Sequence, residues 1–430
     1  MEFNESQKKA VRHCDGPMLL LAGPGSGKTT VITHRIKYMT EEHGVRPDNI
    51  LVITFTKAAA NEMKGRFQEL CPGTRGVTFG TFHSVFFWML RNAYNYTAAN
   101  IVTDSEKYGV IRDSIDRHGF RYDSQEDFAK NVVGEIGNVK SERVSLGNYE
   151  STTMKPEDFR VVYDEYENFL RRCGKIDFDD MLVFTYELLS ERPDILKMWQ
   201  SKFRYILIDE FQDINMIQYD IVKLLAGESQ NVFAVGDDDQ SVYGFRGAAP
   251  AIMKKFPEDF HGTVIEYLNV NYRCSYDIVE CSKRIIQNNR DRYEKQLRSA
   301  FAAGQSDRVH IVKTDSMTEQ NKKIIDRITE LNRAGIPYRE MAIIFRTNTE
   351  PRALASKLME NGIPFLMKDN IPNIFTHFLA ENIFDYIRLA RGSRDRRTVL
   401  RIINKPNRYI SRDALDSPVV NFEELRQHYK

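Results

Sequence analysis

The stretch AGPGSGKTT, residues 22–30, most constrains what this chain can fold into. It follows a short apolar run, PMLLLAG at 17–23, and precedes VITHRIKYM, which has helical spacing. A glycine-rich turn between strand and helix lets backbone N–H groups close around phosphate oxygens, and the helix N-terminus adds its positive dipole end. Gly25, Ser26, Gly27, Lys28, Thr29 and Thr30 then form a phosphate-binding loop. Lys28 would reach the β- and γ-phosphates, and the Thr29 hydroxyl would ligate Mg²⁺. Ala22 stands where the standard pattern has its first glycine. A plain glycine-rich turn with a surface lysine has similar letters; the strand before it and the helix after it argue for phosphate.

Three more apolar runs repeat the strand pattern: NILVITFT at 49–56, RYILIDE at 204–210 and NVFAVGD at 231–237. Runs this short, without alternation and separated by helical patterns, suit strands buried on both faces of a parallel sheet. The expectation is an α/β layer architecture. From about 91 to 178 the runs stop and the sequence has helical spacing, as in FRVVYDEYENFLRR, which predicts a helical insertion. A second α/β block is expected from about 269, with strands at RVHIVKT (308–314) and MAIIFRT (341–347). Beyond about 379 the pattern is helical again. At 430 residues two to four domains are expected.

The third apolar run ends in ILIDEFQD. Acids at the C-terminal edge of a parallel sheet face the ligand crevice. Asp209 can enter the Mg²⁺ shell, and Glu210 is placed to activate a water against the γ-phosphate. Alone such a pair also reads as a helix cap; together with the phosphate loop it argues for a nucleoside triphosphate hydrolase using ATP and Mg²⁺.

The formal net charge of +1 means that any nucleic-acid surface is a local groove rather than a basic body. Five scattered cysteines with no CxxC pair suit a reducing compartment better than a disulfide scaffold or zinc site. The polar start MEFNESQKKAVRH has no signal-peptide core, and MLLLAG is too short to span a bilayer. These features predict a cytoplasmic protein with no membrane contact.

An ordered series of motifs then narrows the reading: FNESQKKAV, AGPGSGKTT, TFTKAAANEM, GTFHS, IDFDDML, IDEFQDIN, VGDDDQSVYGFRGA, LNVNYRCS and IIFRTNTEPRALASKL, with VLRIINKP at 399–406. The series resembles the UvrD/Rep/PcrA-type superfamily 1 DNA helicases. The resemblance implies RecA-like P-loop NTPase motor domains with parallel sheets plus helical insertion domains. It divides the chain into a first motor domain at 1–90 and 179–268, interrupted by a helical insertion at 91–178. A second motor domain follows at 269–378, and a second helical insertion starts at 379–430.

By the same resemblance Gln7 reads the adenine edge, although Asn4 and Gln7 also have capping-box spacing. Tyr272 stacks on adenine, Arg273 is a finger on the γ-phosphate, and Gln212 and Gln240 sense the γ-phosphate and its attacking water. Phe55, Tyr243 and Phe245 would stack bases of single-stranded DNA, at roughly 1–3 kcal/mol per base. Lys57, His83, Ser84 and Arg346 suit phosphate contacts, which position without specifying. In IDFDD, Asp177 and Asp180 suit a helix start better than a metal site. The arginines at 388, 391, 394, 396, 397 and 401 could also touch nucleic acid, but read better as a solvated helical face.

Thr30, Lys57 and Phe245 stand where such helicases usually carry an arginine, an asparagine and a tryptophan. No TLHxxKGLE-like or VxxTRAxE-like stretch occurs, so a fragment with a complete first and an incomplete second motor domain is expected. The implied activity is ATP-dependent translocation on single-stranded DNA with duplex unwinding, 3′-to-5′, in repair or fork maintenance. Single-stranded DNA, DNA junctions and repair proteins are the implied partners. Two rival readings remain at this point: an ATP-switched DNA-binding regulator, and the motor part of a helicase–nuclease.

Overall fold

The structure, a computed structural model, describes residues 2–120, 125–242, 251–290, 292–304, 308–368, 375, 378–411, 414–415 and 417–429. By internal contacts it divides into two units, Met1–Val309 and His310–Lys430.

The first unit is built on a six-stranded sheet: β1 (Met18–Ala22), β2 (Ile50–Thr54), β3 (Thr78–Thr81), β4 (Tyr205–Ile208), β5 (Val232–Gly236) and β6 (Val264–Leu268). The strands lie in the order β3-β2-β4-β5-β1-β6, and all pairs are parallel. Helices α1 (Glu5–Arg12), α2 (Lys28–Glu41) and α3 (Lys57–Leu70) cover one face. The other face carries α4 (Phe82–Tyr94) and, later in the chain, α8 (Phe178–Glu191), α9 (Pro193–Lys202), α10 (Met216–Ala226) and α11 (Ala251–Asp259).

Side chains alternate between faces along each strand. Leu19, Leu21, Leu51 and Ile53 join one core, and Met18, Leu20, Ile50 and Val52 join the other. Every residue of β1, β2 and β5 is buried, so the four apolar runs of the sequence are the β1, β2, β4 and β5 strands. The two strands that the sequence did not declare, β3 and β6, are the sheet edges.

Between α4 and α8 the chain forms α5 (Asp104–His118), α6 (Gln125–Ser141) and α7 (Pro156–Cys173), with their own core around Ile111, Val132, Phe159 and Val162. A parallel bridge between Ile101 and Ile176 closes the neck of this helical insertion. The chain then returns through α8 (Phe178–Glu191), α9 (Pro193–Lys202), α10 (Met216–Ala226) and α11 (Ala251–Asp259). Past β6 a short parallel pair, β7 (Val270–Asn271) and β8 (Arg298–Ser299), brackets α12 (Tyr276–Ile286). Residues 269–309 pack with the first unit.

The second unit holds α13 (Met317–Arg333) and α14 (Pro351–Glu360) around Ile328, Leu354 and Leu358. It continues with α15 (Phe378–Ala390), α16 (Arg396–Ile402) and α17 (Phe422–His428). The strands expected at 308–314 and 341–347 are not formed. A strand exists only through its hydrogen-bonded neighbours, and neither segment pairs with one among the described residues. Several of their apolar residues consequently remain exposed, Ile311 at 88% and Ile344 at 93%.

Candidate active site

The C-terminal ends of all the central strands converge on one edge. The loop after β1 leads into α2 at Lys28, with Gly27 as a left-handed N-cap at φ +88°. Gly25 has φ +64°, and a Cβ there would lie 2.7 Å from Arg273 Cβ and 2.9 Å from Asn271 Oδ1. Only glycine allows both that backbone and that approach. Ser26 is buried and its hydroxyl donates to Gly23 O at 2.7 Å, bracing the loop. Thr29 and Thr30 follow in the first turn of α2 and are half-buried.

β4 ends at Asp209–Glu210. Glu210 is a non-glycine residue at φ +52°, a conformation that costs on the order of 1–3 kcal/mol and clusters at functional sites. Its Oε2 accepts from Lys28 Nζ at 3.1 Å and from Gln212 Nε2 at 2.9 Å. Asp209 is buried; burial, then the Glu210 charge, pushes its carboxyl up to about 6 despite Lys28. Its Oδ1 has no hydrogen-bond partner among the described residues. A buried carboxylate oxygen left unpaired is costly unless a cation completes it. With the Thr29 hydroxyl at the start of α2, this donor set fits Mg²⁺, which favours hard oxygen ligands. Asp213 is similar: burial and then Glu210 raise it to about 6.

β5 lies between β4 and β1, so its end is central to the site. Asp237 N donates to Gln212 Oε1 at 3.0 Å, and Gln240 Nε2 donates to Asp237 Oδ2 at 2.6 Å. The two expected glutamines are thereby joined through Asp237. Asp238 and Asp239 also accept bonds from protein groups: Tyr293 N donates to Asp238 at 2.7 Å, and Arg292 Nε to Asp239 at 2.7 Å. Lys295 binds all three aspartates.

On the opposite flank Gln7 sits in a complete capping box with Asn4, and its Nε2 donates to Ser26 O at 3.1 Å. Both ends of this amide are held by protein groups here. Tyr272, 46% exposed, accepts from Asn4 Nδ2 at 3.0 Å, and its N–H donates to Gly25 O at 2.9 Å. Asn271 Oδ1 takes the N–H groups of Arg273 and Cys274, seating exposed Arg273 beside the phosphate loop. Buried Arg35 ties this flank down. It donates to Ala10 O and Cys14 O from α2 and stacks 4.2 Å over Phe233; burial lowers it to about 10.

Of the expected DNA contacts, Phe55 is half-buried after β2 and Lys57 opens α3, exposed. Ser84 is exposed in the capping box of α4, and His83 packs edge-on against Phe178 at 5.5 Å. Burial lowers the His83 pKa. Arg346 is exposed in the second unit. Tyr243 and Phe245 lie outside the described residues. Asp177 is the N-cap of α8 and Asp180 its capping-box partner, as the helix-start reading required. Sequence reasoning missed Asn271, Arg292, Lys295 and Arg35. The available signals were an uncompensated DDD run and a charged residue on an apolar helix stripe.

Among the described residues no helix is long and apolar enough to cross a membrane. Residues 3–261 match the UvrD/REP helicase N-terminal domain, and residues 266–424 the UvrD-like helicase C-terminal domain. The chain is 35% identical over 427 residues to the ATP-dependent DNA helicase PcrA of Staphylococcus epidermidis, and 34% over 424 residues to that of Staphylococcus aureus. Each alignment covers 96% of this chain and 57% of the relative, so the chain spans little more than half the length of either. With its phosphate loop, acid pair and parallel sheet in that arrangement, the chain belongs to the UvrD/REP helicase family.

Proposed function

We propose that this chain carries the nucleotide-hydrolysing centre of an ATP-dependent DNA helicase that moves 3′-to-5′ on single-stranded DNA. The observation that supports it most is the Lys28–Glu210 pair at 3.1 Å beside the unpartnered Oδ1 of Asp209. Backbone N–H groups of residues 25–30 and Lys28 hold the phosphates. Thr29 and Asp209 would hold Mg²⁺, which would supply charge neutralisation to the phosphates. Glu210 accepts the proton of the attacking water at its carboxylate once phosphate draws Lys28 away. Gln212 and Gln240 orient that water and the γ-phosphate, and Arg273 offsets charge developing on it. Tyr272 stacks on the adenine, and Gln7 reads its edge after exchanging its bond to Ser26.

Phe55, Tyr243 and Phe245 provide base-stacking plates, with Lys57, His83, Ser84 and Arg346 on the phosphates. Phe55, Lys57, His83 and Ser84 follow β2 and β3, on the sheet edge that also carries the nucleotide residues. The same sheet therefore carries these four residues and the nucleotide residues. The expected setting is cytoplasmic, on junctions and with repair proteins.

Two substitutions test the reading. Lys28→Ala is expected to reduce ATP turnover stimulated by single-stranded DNA by at least about 10²-fold while leaving the circular-dichroism spectrum unchanged. Undiminished turnover would mean that the phosphate loop does not serve hydrolysis. Glu210→Gln is expected to stop turnover without weakening nucleotide binding. ATP-dependent DNA affinity in a wild type that shows no turnover would favour a regulator that uses ATP only as a ligand.

A further inference from the structure

The acid triplet Asp237–Asp238–Asp239 has the arrangement of a cation site, with one ligand oxygen from each residue within 4.8 Å of the others. The cation already there is an ammonium. Lys295, whose side chain is 4% exposed, contacts all three carboxylates and lies 2.8 Å from Asp239 Oδ2. Burial alone would lower its pKa, but the charge of Asp237 and the bonds to all three acids hold it above the usual lysine value. Arg292 adds a paired contact to Asp239. Three carboxylates thus meet two cations, and the arrangement is closed to a further metal ion by its own side chains.

Asp237 is the member that matters for chemistry. Its side chain is 1% exposed, and its two oxygens divide their work. Oδ1 receives Lys295 and the N–H of Asp239. Oδ2 receives Gln240 Nε2. A carboxylate only accepts, so it must be the NH₂ end of Gln240 that faces Asp237. That fixes the amide's rotation and leaves the second Nε2 hydrogen and Oε1 for ligand atoms. Gln240, Asp237 and Lys295 border a cavity of about 270 Å³ together with Gly23 and Pro24 of the phosphate loop. Through Asp237 N the same residue reaches Gln212, Glu210 and Lys28 in an unbroken hydrogen-bonded path.

We propose that Lys295 is a positioning residue for γ-phosphate recognition. It holds Asp237 in the rotamer that orients Gln240, and so links residues matched to the C-terminal family domain to the nucleotide site of the N-terminal one. Without Lys295 the Asp237 carboxylate is drawn towards no fixed cation, and Gln240 loses its rigid acceptor. The inference rests on the reading above that the site binds a nucleoside triphosphate.

The test measures affinity of the chain for ADP and for ATPγS, both with Mg²⁺, in wild type, Lys295→Met and Lys295→Arg. In Lys295→Met the ADP affinity is expected to stay within about twofold. The preference for ATPγS over ADP should fall about tenfold, near 1.4 kcal/mol, close to the lower end of what a hydrogen bond to a charged group contributes. Lys295→Arg keeps the charge and should restore most of the preference. If Lys295→Met does not fold, Lys295→Ala, which likewise cannot donate to Asp237, is read by the same ratio. An unchanged ratio overturns the proposal, as does a parallel loss of both affinities or an arginine variant no better than methionine. A wild type that binds both nucleotides equally overturns it while leaving the site reading intact. A wild type that binds neither removes the site reading, and this proposal with it.

Discussion

Two parts of this molecule solve the same electrostatic problem to different ends. In the helical insertion Lys140, 4% exposed, pairs with Glu167 at 2.6 Å, Asp177 at 2.9 Å and Asp180 at 2.7 Å. At the six-stranded sheet Lys295, also 4% exposed, pairs with Asp237, Asp238 and Asp239. Each places one ammonium among three carboxylates where water cannot screen the charges. In the insertion the acids serve the helices. Asp177 and Asp180 cap α8, Tyr166 OH donates to Asp177, and Lys140 ties α6 to both. At the sheet one carboxylate instead holds the side-chain amide of Gln240, the residue proposed to sense the γ-phosphate. A buried ion cluster is a structural clamp when all its acceptors are spent internally, and would be a lever where one of them holds a side chain that meets substrate.

The difference is sharpest if each lysine is removed. Lys140→Met leaves three carboxylates facing each other in a buried space without their cation. Breaking such a set typically costs about 3–5 kcal/mol. Hydrogen exchange of α6, α7 and α8 amides should accelerate accordingly, with the ATPγS-to-ADP affinity ratio unchanged. A changed ratio would erase the distinction between the two clusters. Lys295→Met should cost less, roughly 2–3 kcal/mol, because Arg292 remains on Asp239. Its signature should appear in γ-phosphate discrimination instead.

The same contrast explains what could be read from the sequence. β1, β2, β4 and β5 are legible because both faces are buried, so their residues have to be apolar throughout. β3 and β6 are edges; Val264 and Ile265 are 42% and 36% exposed, and TFGT has little apolar signal. The segments 308–314 and 341–347 have strand composition, yet composition cannot supply a neighbour. In the site, the phosphate loop and Asp209–Glu210 are legible because their meaning is local: a turn, a strand end and a helix start. Gln7 illustrates the limit of locality, since Asn4 spacing predicts its cap correctly, but its bond to Ser26 comes from another element. Lys295 and Lys140 are illegible for the opposite reason. Their partners lie 58 and 40 residues away, and nothing near either lysine marks it as buried.

The smallest expected effect lies at the border of the insertion cluster. Asp179 is half-buried in the first turn of α8, and burial, then the charge of Asp177, raises its carboxyl from 3.8 to about 6, with Lys140 and Lys107 opposing. A carboxyl whose folded pKa is raised makes the fold weaker when ionised. Below about 4 the proton is present in both folded and unfolded chains and there is no cost. Between 4 and 6 the folded chain keeps a proton that the unfolded chain has released, so stability falls as pH rises. Above 6 the full penalty remains, roughly 1–3 kcal/mol for a shift of this size in a partly solvated group. Asp179→Asn removes it but gives up a favourable charge at a helix N-terminus, worth about 0.3–1 kcal/mol. The variant should therefore slow hydrogen exchange in α8 at pH 7.5 by a few-fold relative to wild type, a gain of about 1 kcal/mol, and lose that advantage near pH 4. An equal advantage at both pH values would show that Asp179 acts through packing rather than charge, and that the clamp around Lys140 already tolerates a fourth ionised acid.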